Sequence, residues 1–188
     1  MRKSFCSLIS FLLFSLLACG AASAHWYVAP TGNDANNGSK RKPLKTIAAA
    51  LQRVNPGDTV FLREGSYGEF VVPTRSGKPG KMITLKSYPG EIAKIDGSDL
   101  YIKGWGNALV QVNNIDYMQF ENLHICHAHD SENNTDPEGI YITGTSGNIT
   151  FRGCKVYDIK NDCPLVDAKG DWRSAHAILV LGTHANTP

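Results

Sequence analysis

The chain has 188 residues, 42% of them hydrophobic and 19% charged, with 18 glycines and 9 prolines. That composition is globular, fits a single domain, and excludes a disordered, collagen-like or coiled-coil chain. The 19 basic residues outnumber the 17 acidic ones by Arg2 and Lys3 alone, both at the extreme N-terminus.

Residues 1–24 read as a secretory signal. Met1-Arg2-Lys3 is the basic start, Phe5 to Ala18 is a mostly apolar run, and Ala22-Ser23-Ala24 is an A-x-A cleavage pattern. Cleavage after Ala24 removes the excess positive charge, so no basic field remains to attract nucleic acid. Leu16-Leu17-Ala18-Cys19 also has the pattern of a bacterial lipobox, whose cysteine would carry a lipid anchor. Ala22 and Ala24 favour simple cleavage, and both routes leave the cytoplasm. The expected location is secreted or periplasmic, with an outer-surface lipoprotein as the alternative. The apolar run is too short for a spanning helix, so no membrane span is expected behind it. Cys6 and Cys19 fall in the leader, leaving Cys126, Cys154 and Cys163, an odd set that makes no disulfide framework. A bond between Cys126 and Cys163 stays open in an oxidising compartment.

The mature part, 25–188, divides into a cap over 25–75 and coils over 76–188. His25 to Pro30 reads as a short strand and Thr31 to Gly38 as a loop of turn formers. Thr46 is a fair N-cap for a helix that carries Ile47, Leu51 and Val54 on one stripe, and Asn55-Pro56-Gly57-Asp58 ends it. Strands are expected at Thr59 to Leu62, Phe70 to Val72 and Met82 to Leu85.

Beyond Ile95 the chain repeats. Val110 and Val112 align with Ile140 and Ile142; Met118, Phe120, Leu123 and Ile125 align with Ile149, Phe151, Cys154 and Val156; Ile178 and Val180 open a third unit. These apolar positions alternate with polar ones, as in strands with one buried face. Strands repeating in one direction, with no helix between them long enough for a crossover, stack as coils of a parallel β-solenoid about 4.8 Å apart. The expected fold is an all-β right-handed parallel β-helix. The helix after Thr46 would cover the open end of the first coil. The last coil lacks its second and third strands, which leaves on the order of 10 kcal/mol of burial by Ile140, Ile142, Ile149, Phe151, Cys154 and Val156 incomplete. The expectation is an N-terminal part of a longer protein.

Trp26-Tyr27-Val28-Ala29-Pro30-Thr31-Gly32-Asn33-Asp34, Pro43-Leu44-Lys45-Thr46-Ile47 and Asn55-Pro56-Gly57-Asp58-Thr59-Val60 resemble the N-terminal cap of secreted bacterial parallel β-helix proteins, most closely the family-9 pectate lyase type. The likeness continues through Gly80 to Glu91, Ile95-Asp96-Gly97-Ser98, Gly139 to Ile142 and His176 to Val180. The resemblance implies β-elimination on an acidic, uronate-containing polysaccharide, with calcium held by clustered aspartates and a lysine as base. A cation on the sugar carboxylate acidifies the neighbouring carbon enough for such a base. In that family these groups lie on later coils, so no catalytic residue can be named here.

Two long segments, His127 to Glu138 and Asp158 to Ala175, occupy the same place in successive repeats and fall on one face. Asp130, Asp136 and Glu138 are the candidate calcium ligands, although such residues also serve as turn formers. Trp172 and Arg173, with His176 just after them, are the candidate groups to stack on a sugar ring and pair with its carboxylate. A tryptophan that pins a loop is the simpler account of the first. His124, His127, His129 and Asp130 raise zinc, but outward strand and turn positions account for them, and no cysteine or second histidine group is seen to complete a site. Glu121 and Arg152 stack as a surface ion pair. The leading reading is a polysaccharide-active, lyase-like solenoid. The alternatives are a non-catalytic carbohydrate-binding or surface-attached solenoid and an inactive gene fragment.

Overall fold

The computed structural model describes residues 23–100, 102, 107–130, 136–162 and 174–182. Strand β1 is His25–Val28, helix α1 Ile47–Leu51, β2 Thr59–Leu62 and β3 Gly65–Tyr67. Then come β4 Ile83–Ser87, β5 Ala93–Asp96, β6 Ala108–Asn113, β7 Asp116–Glu121, β8 Leu123–Asp130, β9 Glu138–Gly144, β10 Gly147–Arg152, β11 Lys155–Asn161 and β12 His176–Gly182. They form three parallel sheets ordered β1-β2-β4-β7-β10, β3-β5-β8-β11 and β6-β9-β12. From β4 onward each turn of chain contributes one strand to each sheet, and with the partial turns before it this makes a β-solenoid of about four coils.

The repeat sets the register. Val110 pairs with Ile140 and Val112 with Ile142, Met118 with Ile149, Phe120 with Phe151, Ile125 with Val156, and Ile140 in turn with Ile178. Like residues stack because each coil repeats the inward alternation of the one before, and a one-residue slip would turn every apolar side chain outward. Leu85, Ile95, Val110, Met118, Phe120, Leu123 and Ile125 are fully buried. Phe120 and Phe151 stack face to face at 4.6 Å with rings 5° from parallel. In the fourth coil Ile149, Phe151, Cys154 and Val156 pack against this core while partly exposed, and Ile178 and Val180 are 50% and 60% exposed.

The corners repeat as well. Asn114, Asn122, His127 and Asp158 have positive φ, as do Gly144 and Gly153. Gly153 stands directly above Asn122, where a Cβ would come within 2.3 Å of the Asn122 Oδ1. Glycine meets both demands at that corner, the left-handed backbone and the close approach.

Two elements are shorter than the sequence predicts. The helix spans Ile47–Leu51 instead of running to Val54, because Asn55 precedes a proline and is disfavoured in the helical region, while Arg53 is drawn away by bonds to the carbonyls of Asp34 and Asn36. Ile47, Ala50 and Leu51 are buried, but five helical residues do not establish an end cap. Phe70 to Val72 reduces to one bridge, Val71 with Val110, since Pro73 lacks the N–H needed to extend the ladder.

The turn-rich motif before the helix is held by buried or satisfied carboxylates. Asp34 accepts from the amides of Lys45 and Thr46 and from the Thr46 hydroxyl. Asp58, 3% exposed, accepts from the amides of Ala24 and Asn55 and from the Trp26 indole. Glu69 takes the free Ile47 and Ala48 amides at the helix start.

Candidate functional site

The outer wall of the β3-β5-β8-β11 sheet carries most of the titratable chemistry. Parallel register lines up Lys94, His124 and Lys155 in one row, with the Tyr157 ring edge-on to His124 at 5.8 Å. Burial, and then the flanking Lys155 and Lys94, lower the pKa of the His124 imidazole. The row is therefore a stripe of two cations and a ring biased to the neutral form, bordered by an aromatic face.

One row along, Asp96, Cys126 and Tyr157 are in register. His127 and Asp158 then adopt the left-handed conformation, and the ladder resumes with Ala128 on Ile159, His129 on Lys160 and Asp130 on Asn161. This double kink keeps the strands paired well past the point where the sequence predicts loops, so His127, His129, Asp158 and Lys160 project from strands. Gly97 makes the approach feasible: its amide donates to the Cys126 carbonyl at 2.9 Å, and a Cβ there would meet the His127 carbonyl at 2.5 Å.

The side chains interlock. His127 Nδ1 lies 2.8 Å from Asp96 Oδ1, which also accepts from the Ser98 amide and hydroxyl. Burial opposes the Asp96 charge, but the Ser98 and His127 bonds outweigh it and hold the carboxyl down to about 2. Asp158 Oδ2 sits 3.6 Å from His127 Nε2 and 3.4 Å from His129 Nε2. Lys160 reaches Asp158 and Asp162 at 3.7 and 3.8 Å. Burial pushes the Cys126 thiol up, and the neighbouring Cys126, followed by burial, pushes the Tyr157 hydroxyl up to about 12. Among the described residues, one set of three histidine, cysteine or acidic side chains brings its ligand atoms within 4.8 Å of one another: Asp96, Cys126 and His127.

Asp130, Asp136 and Glu138 are all buried, at 5%, 9% and 1% exposure, yet their oxygens do not converge as such a set. Glu138 faces the coil interior between Ala108 and His176; its Oε2 has no hydrogen-bond partner among the described residues, and burial, aided by Asp136, lifts its carboxyl to about 7. Asp136 accepts from the Ser174 amide and hydroxyl. His176 begins β12, stacked on Glu138, and its Nδ1 has no hydrogen-bond partner among the described residues. Trp172, Arg173 and Cys163 lie outside the described residues; Cys126 and Cys154 are free thiols. Glu121 is in register with Arg152 but forms its ion pair with Lys86 at 2.5 Å, one coil away on the other side.

The Asp96–Cys126–His127 group was not visible in the sequence because its register joins unlike residues. The signal available was the alignment itself: extending Ala93 on Leu123 by three residues sets Asp96 beside Cys126.

Residues 26–187 match the family described as Pel9A-like, right handed beta helix region. The chain belongs to this family. Its handedness and solenoid architecture are those expected. The chain is 32% identical over 144 residues to the uncharacterized protein YwoF of Bacillus subtilis, covering 77% of this chain and 31% of that protein. It is 26% identical over 147 residues to pectate lyase PEL9 of Emericella nidulans, covering 72% and 34%. It thus spans about a third of the length of these relatives. Among solved structures, a GH136 lacto-N-biosidase from Eubacterium ramulus superposes with a TM-score of 0.61 at 20% identity, over 86% of this chain and 31% of that one. A rhamnogalacturonan lyase superposes with a TM-score of 0.52 at 20% identity, over 66% and 34%. At those identities the likeness is one of fold. Among the described residues no helix is long and apolar enough to cross a membrane.

Proposed function

We propose that this Pel9A-like chain forms part of a secreted β-helix protein that acts on a uronate-containing polysaccharide by pectate-lyase-like β-elimination. The observation that carries this reading is the family match over residues 26–187, joined by similarity to a pectate lyase. The signal segment 1–24 supplies the route out of the cell. Trp172, Arg173 and His176 remain the groups offered for sugar contact. Calcium enters as the cofactor that the resemblance implies, and no step is routed through Asp130, Asp136 or Glu138.

The row of Lys94, His124 and Lys155 gives the polymer a place on this chain. Lys94 and Lys155 stand two coils apart along the solenoid axis with His124 between them, in line as carboxylates are along a uronate chain, and the Tyr157 ring offers an aromatic border. Exposed ion pairs are worth only about 0.2–1 kcal/mol each. Replacing Lys94 and Lys155 together with alanine is therefore expected to weaken retention on polygalacturonate about two- to tenfold, read by affinity electrophoresis. Retention unchanged in the folded double variant would remove this wall from the binding surface.

The reaction itself is tested by mixing the secreted protein with polygalacturonate and calcium and following the ultraviolet absorbance of unsaturated uronate products. The lyase reading predicts a rise that a chelator stops. Retention on the polymer without any rise would favour the second reading, a non-catalytic carbohydrate-binding solenoid.

A further inference from the structure

We propose that Asp96, Cys126 and His127 form a binding site for a zinc-class divalent metal ion on the outer wall of the β5, β8 and β11 strands. This site is distinct from the calcium that the family resemblance implies, and it stands or falls independently of the polysaccharide reading. The three side chains come from adjacent coils and already hold their ligand atoms within 4.8 Å of one another. A soft thiolate, a borderline imidazole and a hard carboxylate are all ligands that zinc accepts, with a fourth position left for water, whereas calcium takes oxygen alone.

The surroundings are those of a supported site. A ligating histidine commonly directs its second ring nitrogen at a carboxylate, which fixes the tautomer. Here Asp158 Oδ2 lies 3.6 Å from His127 Nε2, so a proton on Nε2 leaves the Nδ1 lone pair directed at Asp96 and Cys126. The Ser98 amide and hydroxyl anchor the Asp96 carboxylate at 3.1 and 2.6 Å. Tyr157 stands in register with Cys126 on the next coil, so a phenol flanks the thiol. Cys126 itself is buried, but Asp96 and His127 are 18% and 32% exposed, which opens a path from solvent.

Without metal, His127 Nδ1 bonds Asp96 directly at 2.8 Å. On binding, the ion replaces that contact, the imidazole proton sits on Nε2, and the Cys126 thiol proton is released to solvent, so affinity rises with pH. The sequence alone set zinc aside for want of a completing cysteine; the fold brings Cys126 and the Asp96 of the coil below to the same histidine.

Cobalt(II) is the probe. Titrated into the full chain after chelation and thiol reduction, it is expected to bind at one ion per chain with the visible bands of four-coordinate cobalt and a near-ultraviolet thiolate charge-transfer band. Zinc should displace it and calcium should not. Cys126→Ser should abolish the charge-transfer band, and Asp158→Asn, which reaches the three ligands through His127, should weaken binding about 10- to 100-fold. His127→Asn suits the left-handed backbone at that position and keeps the test valid if Cys126→Ser does not fold; it too should lose the band. Absence of saturable binding, or a spectrum without thiolate charge transfer in the unaltered protein, would overturn the site.

Discussion

Replacing Phe120 with alanine is expected to destabilise the protein by about 3–5 kcal/mol, the usual cost of removing a buried aromatic ring. Phe120 is fully buried, in register with Leu85 on one side and Phe151 on the other, and its ring stacks on Phe151 at 4.6 Å. The cavity would open between three consecutive coils. In a solenoid each coil touches only its neighbours, so a void in the middle weakens two interfaces at once. Phe151→Ala removes the same ring contact from a residue that is already partly exposed, and should cost less. Urea unfolding of the two variants measures the difference. Equal losses would mean that the second and third coils are no better packed than the fourth.

The second large effect is a pH dependence centred on Glu138. Burial first, and Asp136 second, raise its carboxyl from 4.5 to about 7 in the folded chain, and among the described residues Oε2 has no partner to offset the lost solvation. The folded-state value lies above the unfolded one, so the protonated form favours folding. Its contribution is complete below about pH 4.5 and is lost as pH rises through about 7. The loss is on the order of 3 kcal/mol. Glu138→Gln keeps the shape of the protonated side chain and removes the titration. The variant should match the parent in acid, exceed it in melting temperature above about pH 7, and show a flatter profile. Parallel pH profiles for the two proteins would mean that Glu138 reaches solvent or a counter-charge in solution.

The fold was legible because its information is repeated. Val110 over Ile140 and Phe120 over Phe151 were readable as pairs, since a core layer demands an apolar residue at the same place in every coil. Positions governed by a single local event were harder to read. Nothing periodic marks the kink at His127 and Asp158, where two side chains of different type take the same left-handed conformation and β8 and β11 continue into the expected loops. The bridge at Val71 shows the opposite case, a good strand composition cut short by Pro73. The candidate site followed the same division. Asp130, Asp136 and Glu138 stood out as acids near one another in sequence, but backbone direction sends them to places where their oxygens do not meet. Asp96, Cys126 and His127 meet because coils stack, and a carboxylate, a thiol and an imidazole share no pattern that self-alignment would detect.

The most direct test of the central claim is affinity electrophoresis of the unaltered secreted protein through gels containing polygalacturonate or its fully methyl-esterified counterpart. Recognition of an acidic polysaccharide predicts slowed migration in the first gel, relieved by added salt as screening weakens surface charge contacts, and free migration in the second. Equal mobility in both gels would contradict the claim.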